Sequence, residues 1–110
     1  MKEILEFIKN KSIDLSEMGV NNFALTKKDA LKLLEKFKEN NIFLYGGDFL
    51  EKQNKKINYN YINWSTNGKN IIHNLEYAEN FIKKYAKDTM YIEFVTEIDL
   101  YNLVLSSQED

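Results

Sequence analysis

Three stretches of the chain repeat apolar residues at the spacing of an amphipathic helix. The clearest stretch begins after Thr26, a residue type that caps helix N-termini. Its apolar stripe consists of Ala30, Leu33, Leu34 and Phe37. The same spacing predicts helices over residues 1–9 and 70–86, and a brief helical turn over residues 12–18 that stops at Gly19. These patterns predict about three helices, with the short turn left uncounted.

Three other stretches carry the pattern of strands. Residues 42–45 form an apolar run before a glycine pair, where a bulge would let the strand continue. Residues 57–64 and residues 90–96 alternate between the two faces of a sheet. The polar residues 51–56 predict the loop that joins the first two strands into an antiparallel hairpin. Residues 98–105 fit either a helix or a strand.

The order of these elements indicates the fold class. Helices come first, followed by two strands, another helix and a third strand. This order predicts an α+β fold with a small, mostly antiparallel sheet of three or four strands and about three helices packed on one face. A chain of 110 residues, 44% of them hydrophobic, is long enough for one core. We therefore expect a single domain over residues 1–110.

The strand over residues 57–64 is rich in aromatic side chains. Strict alternation places Tyr59 and Tyr61 on one face of the sheet and Trp64 on the other. Tyr and Trp side chains that stay exposed on a sheet face are the residue types enriched at interfaces. The alternative is that these rings belong to the core or cover a helix.

Charge excludes one class of partner and favours another. All fifteen basic residues are lysines, and the formal net charge is -2. Because arginine best reads guanine and phosphate groups, we expect no nucleic-acid partner. Residues 1–87 total +4, whereas residues 88–110 carry six acids and no base. Such an acidic end steers a basic partner towards the protein, or is an ordinary solvated surface.

The sequence offers little material for catalysis. It contains no cysteine, and its one histidine, His73, falls off the apolar stripe of its helix, which predicts a surface position. A zinc site takes most of its ligands from Cys and His. No phosphate-binding loop or nucleotide fingerprint is present. We expect no catalytic residue, metal ion or cofactor, and a protein that is not an enzyme.

The same composition bears on location. The lack of cysteine fits a reducing compartment. Acidic residues interrupt the first apolar stretch, unlike a secretion signal, and the apolar runs are too short to cross a bilayer. We expect a cytoplasmic protein without a membrane partner.

Several short strings follow one another in a set order along the chain. They are Gly19 to Leu25, Ala30-Leu31 with Leu34, residues 42–44 leading into Gly46-Gly47-Asp48, and Asn63-Trp64. A helix that contains Tyr85 and a hydrophobic strand come next. In these strings and their spacing, residues 19–96 resemble the immunity protein 40 family of bacterial polymorphic-toxin systems. One difference is Ser65, where the family tends to have Tyr after the tryptophan.

The resemblance implies a cytoplasmic immunity protein that binds a cognate protein toxin. We expect it to neutralise the toxin by blocking the toxin's active site or substrate path. The candidate partner-binding residues are Asp48, Tyr59, Tyr61, Trp64, Tyr91 and Glu93. Their aromatic rings would serve as anchors, and their acids would complement a basic toxin.

Two alternatives stay open at this point. The first is a small structural or regulatory subunit that forms a homodimer through an exposed strand edge. The second is an enzyme with a carboxylate site that the sequence does not reveal.

Overall fold

The computed structural model describes residues 1–66 and 70–107, which form a five-stranded antiparallel sheet with four α-helices on one face. The strands are β1 (Ile13–Asp14), β2 (Phe23–Thr26), β3 (Leu44–Gln53), β4 (Lys56–Ser65) and β5 (Met90–Thr96). The helices are α1 (Lys2–Lys11), α2 (Lys27–Glu39), α3 (Ile71–Tyr85) and α4 (Leu100–Ser107). The strand order is β1-β2-β5-β3-β4, so β1 and β4 form the edges. The α+β class is confirmed, and the predicted three or four strands and about three helices are corrected to five and four within these residues.

The two strands that the sequence pattern did not predict lie side by side at one edge. β1 has two residues, which pair with Ala24 and Phe23 of β2. The helical turn predicted over residues 12–18 is therefore part strand. Its remainder is a 3-10 helix, Ser16–Met18, which ends at Gly19 in the left-handed conformation (φ 80°). β2 has four residues, of which the first three are buried, so it lacks the alternation that identifies a strand.

The elements with the clearest periodicity are confirmed. The Thr26 side chain accepts a hydrogen bond from the Asp29 N–H at 3.3 Å and so starts α2. Asn70 caps α3 in the same way. β5 has the predicted bounds. Residues 98–105, which fitted two structures, form most of α4, whose buried residues recur at helical spacing.

β3 and β4 form one long hairpin. The loop between them is shorter than the predicted residues 51–56 and consists of Asn54 and Lys55. Their φ angles of 50° and 70° suit a two-residue hairpin turn. Gly46 and Gly47 lie inside β3 rather than in a turn. A Cβ on Gly47 would overlap with the Trp64 ring, so glycine makes room there for the indole.

The sheet has two unlike faces. The main core lies between the sheet and the helices, and it takes side chains from all four helices and from β2 to β5. The opposite face, called the open face below, is covered in part by residues 15–20. There Leu15 packs with Ala24 and Leu50 in a second, smaller cluster. Within the two described ranges no helix is both long and apolar enough to span a bilayer.

Candidate functional site

A row of polar side chains crosses the open face. Asp48 of β3 is in register with Glu93 of β5 on one side and with Asn63 of β4 on the other. Residues in register on neighbouring strands point to the same face. Glu93 is 4% exposed, and Asp48 is partly exposed. The register therefore brings two carboxylates together, one buried and one accessible.

Both carboxylate oxygens of Glu93 accept hydrogen bonds. The Tyr59 hydroxyl donates to Oε1 at 2.6 Å, and the Asn22 side-chain amide donates to Oε2 at 2.8 Å. The same amide nitrogen donates to the Phe94 carbonyl at 2.8 Å. These contacts connect β4, β5 and the segment before β2, so the polar row is fixed from three directions.

Burial and charge change the acidity of this cluster. Burial has the largest effect on Glu93 and raises its pKa. The hydrogen bonds from Tyr59 and Asn22 lower this pKa, whereas the charge of Asp48 raises it. The net shift of the Glu93 pKa is upward. Burial also raises the pKa of Asp48. Burial, followed by the hydrogen bond to Glu93, raises the pKa of Tyr59. The site therefore keeps the Tyr59 hydroxyl neutral and disfavours two negative charges.

The negative charge has no cationic partner within the part of the chain that the structure describes. The ion pairs found there are Lys27–Asp88, Lys36–Glu3 and Lys83–Glu79. None of these pairs involves Asp48 or Glu93. Because like charges at opposed positions of neighbouring strands repel each other, a cation brought to Asp48 from outside would be attracted.

A groove of about 210 Å³ lies beside Asp48. Its lining includes Tyr45, Val95 and Asn63 as well as the glycine pair of β3. Tyr45 is 53% exposed and Val95 is 40% exposed. Apolar walls next to an acidic group suit the apolar stem and charged head of a Lys or Arg side chain.

Tyr61 projects from a bulge in β4 next to the polar row. The register advances by two residues on β3, from Asp48 to Leu50, and by four on β4, from Asn63 to Tyr59. The extra residues include Tyr61, which has φ 69° and is 90% exposed. A bulge re-aims side chains, and this one presents the tyrosine ring to solvent.

Comparison with known proteins identifies the family. Over residues 14–96 the chain matches the family model described as Immunity protein 40. The chain belongs to this family. The matched region contains β2 to β5 and the whole polar row. Among curated proteins and solved structures no match was found.

Membership confirms the resemblance seen in the sequence and makes the chain an immunity protein, which acts against a toxin. Of its six predicted contact residues, four lie on the open face: Asp48, Tyr59, Tyr91 and Glu93. Tyr91 is in register with Leu50 and packs in the second cluster, so it is partly covered. Tyr61 lies at the β4 edge.

Trp64 lies on the other face, as the alternation predicted, but in the core. It is 5% exposed, and its ring is 5.9 Å from that of Phe49 and 5.4 Å from that of Phe81. The expectation that Trp64 could anchor a partner is therefore corrected. An indole packed between the sheet and α3 offers too little surface for an anchor, and the alternative of a core residue holds.

Asn22 is a site residue that the sequence reasoning missed. It lies in the first string of the immunity-family resemblance, and that string is the signal that could have pointed to it. Its contact with Glu93 joins positions 71 residues apart. No periodic pattern encodes such a contact. Tyr45 and Val95 were missed as groove residues for the same reason.

Proposed function

We propose that this immunity protein binds a cognate protein toxin through a toxin-facing surface formed by Tyr45, Asp48, Tyr61, Asn63 and Val95. Binding there blocks the toxin's active site or substrate path. Tyr59, Tyr91 and Glu93 support the surface from within the sheet. The observation that carries the proposal is Tyr61, an aromatic side chain that is 90% exposed on the β4 bulge next to Asn63, which lines the groove beside Asp48. The encounter takes place in the cytoplasm.

Tyr61 has the properties of an interface anchor. Tyrosine is among the residue types that dominate binding energy at interfaces. Its backbone is braced on both sides: Asn60 Oδ1 accepts a hydrogen bond from the Ile62 N–H at 2.9 Å, and Asn63 Nδ2 donates to the Tyr61 carbonyl at 3.5 Å. A positive φ costs a non-glycine residue on the order of 1–2 kcal/mol. A backbone braced in this way loses less freedom on binding, which favours affinity.

Charge complementarity supports a basic contact surface on the toxin. Asp48 faces the groove with Glu93 behind it, and the exposed residues Glu97 and Asp99 follow the end of β5. A toxin lysine or arginine would pass between the apolar walls and meet Asp48 at its charged end. Because Asp48 is only partly buried, water and salt screen this attraction and we expect it to contribute modestly.

The first experiment identifies the partner and its effect together. The tagged chain is purified from its native cells, and the bound protein is identified by mass spectrometry. That protein is then expressed in a test host with and without the chain. We expect one stoichiometric partner that stops growth alone and is harmless when the chain is present. Recovery of the bait alone, from cells shown to express its neighbouring genes, would contradict the proposal.

The choice of surface is tested by removing the same side chain at two places. Tyr61→Ala should weaken toxin binding by at least about tenfold, since an anchor contributes more than about 1 kcal/mol. Tyr77→Ala is the matched control, because it removes a half-exposed tyrosine from α3, on the helix side of the sheet, and both variants are compared at a chain concentration too low for self-association. Calorimetry with the purified toxin measures both affinities. Equal affinities of Tyr61→Ala and the wild type would place the contact elsewhere while leaving the immunity function standing.

The carboxylate pair favours a second candidate function, an enzyme that uses Asp48 and Glu93 in proton transfer. Carboxyl groups whose pKa is raised, placed beside a groove, are typical of general acids. In the described ranges no three His, Cys, Asp or Glu side chains lie together as a metal site would need, and His73 is exposed, as predicted. Turnover by the purified chain that disappears in Asp48→Asn would support this function over toxin binding.

A further inference from the structure

The outer flank of α3 carries a ladder of aromatic rings that is partly in solvent. Tyr77, Phe81 and Tyr85 follow one another at helical spacing, with ring centroids 6.3 Å and 4.7 Å apart. Tyr77 is 53% exposed and Tyr85 is 47% exposed. With Asn80 and Lys84 they line a groove of about 240 Å³. Clustered exposed rings of this kind mark an interaction surface.

The aromatic ladder contacts a side chain of the edge strand β4. The Phe81 ring lies 5.4 Å from the Trp64 ring of β4 and 5.7 Å from the Phe49 ring of β3. α2 also packs against α3. Because β4 is the outermost strand, we expect Tyr77 and Tyr85 to lie near its outer edge, where their rings would cover a strand added beside β4.

The outer edge of β4 is suited to pairing. Among the described strands, only β3 is bonded to β4. Edge strands of monomeric proteins usually carry charges that prevent pairing, yet residues 57–65 contain no charged side chain. The bulge at Tyr61 interrupts the edge. Residues 62–65, next to Phe81, remain as the segment that can pair.

We infer that a second copy of this chain covers the flank. In the dimer, residues 62–65 of the two copies pair antiparallel around a two-fold axis, and the two α3 helices pack antiparallel beside that axis. Paired strands lie about 4.8 Å apart, and α3 packs on β3, the second strand from the axis. The two helices then lie about 14 Å apart, and the tyrosine rings of both copies fill the space between them.

The ladder is self-complementary about such an axis, as a two-fold interface requires. Phe81 is its centre and packs on its own sheet, so Tyr77 of one copy meets Tyr85 of the other on each side of the axis. Among the residues that line the groove, Lys84 alone is charged. The axis places the two lysines on opposite sides, which limits their repulsion.

The buried area sets the expected strength of the dimer. Two half-exposed tyrosines offer on the order of 200 Å² together. With Ile62, which is 37% exposed, the rest of the Phe81 ring and the strand edge, each copy buries roughly 500 Å². The total of about 1,000 Å² is at the lower limit for a specific interface. We therefore expect a dimer that dissociates at micromolar concentration.

Analytical ultracentrifugation at increasing protein concentration, without toxin, tests this dimer. The wild-type mass should rise from the 13.0 kDa of one chain towards twice that value. Tyr77→Glu should keep the chain monomeric, because it places a charge against apolar rings. Tyr45→Glu is the matched control, since it changes a tyrosine of the same exposure, 53%, on the open face. It should self-associate as the wild type does.

A wild-type chain that stays monomeric at the highest concentration overturns the inference, as does equal self-association of Tyr77→Glu and the wild type. Hydrogen exchange gives a second measure that needs no variant. Those amides of residues 63–65 that point away from β3 should be protected at high concentration and exchange at low concentration, and a dimer without this protection would use another surface. These outcomes do not depend on toxin binding, which the Tyr61 variant tests separately.

Discussion

Glu93 is a buried carboxylate, and its pKa depends in part on Asp48, the carboxylate in register with it. Burial raises the pKa of Glu93, and the charge of Asp48 adds to the rise. Burial raises the pKa of Asp48 as well. A carboxyl group with a higher pKa in the folded than in the unfolded state binds its proton more tightly when folded. Its contribution to stability is present below the unfolded pKa and is lost as the pH rises through the folded pKa.

Asp48→Asn should therefore stabilise the chain at neutral pH and flatten the fall in the free energy of unfolding between mildly acidic and neutral pH. We expect a gain of up to about 1 kcal/mol, because the opposed pair is partly exposed. Urea unfolding at several pH values measures both effects. Glu51→Gln removes a charge from the same strand and should leave the slope unchanged. An unchanged slope in Asp48→Asn would show that this repulsion is not its cause.

Tyr61 allows stability to be separated from binding. Asparagine adopts the left-handed conformation more readily than tyrosine does. Tyr61→Asn should therefore keep the free energy of unfolding within about 0.5 kcal/mol of the wild type, or raise it. The same change should weaken toxin binding as Tyr61→Ala does. Denaturant unfolding and calorimetry with the toxin give the two values, and a large loss of stability would mean that the ring packs on its own protein.

At the scale of elements, Asn74 connects α3 to both strands of the hairpin. It is 1% exposed, and its Oδ1 accepts a hydrogen bond from the Leu44 N–H at 3.0 Å. Its Nδ2 donates to the Leu44 carbonyl at 2.7 Å and to the Thr66 hydroxyl at 2.6 Å. Leu44 begins β3 and Thr66 follows β4. One side chain thus positions the helix over the hairpin that carries the proposed toxin-facing surface.

Asn74→Leu should lower the free energy of unfolding by about 1–3 kcal/mol, because it leaves the Leu44 N–H buried without an acceptor. Asn80→Leu, at an exposed position of the same helix, should change it by less than about 0.5 kcal/mol. Denaturant unfolding at a concentration where the chain is monomeric measures both. Equal values for the two variants would show that the Asn74 contacts do not hold the hairpin.

Some of these elements could be predicted from the sequence pattern, whereas others could not. α2 was predicted because Thr26 supplies a cap and the residues after it supply a stripe, both within one short segment. β2 was not predicted, because Phe23, Ala24 and Leu25 are all buried in a strand that lies between β1 and β5. A strand that depends on its neighbours in this way has no alternation of its own.

Across the whole molecule, charge is distributed unevenly in a way that would favour a basic partner. Residues 88–110 total -6 and the rest of the chain +4. The acidic part begins before β5, the strand that brings Glu93 to the open face. Because long-range attraction acts before contact, it raises the rate of association more than it slows dissociation.

The rate at which the chain associates with its toxin should fall as salt is added, and the rate of dissociation should change little. Glu97→Gln should reduce the association rate and its dependence on salt. Glu76→Gln, at an exposed position on α3, removes the same charge on the helix side and should have less effect. Stopped-flow measurements over a range of salt concentrations provide the rates. An association rate that does not vary with salt would contradict a basic contact surface on the toxin.

The sequence by itself determined the features that depend on short segments: the α+β class, the bounds of β5, and the opposite faces of Tyr59 and Trp64. It also determined the family, through strings read in order along the chain. The tertiary structure alone decided that Glu93 meets Asn22 and Asp48, and that Trp64 is covered by α3. The physical reason is that periodicity sets which way a side chain points. Which distant side chain it meets depends on strand register and helix packing.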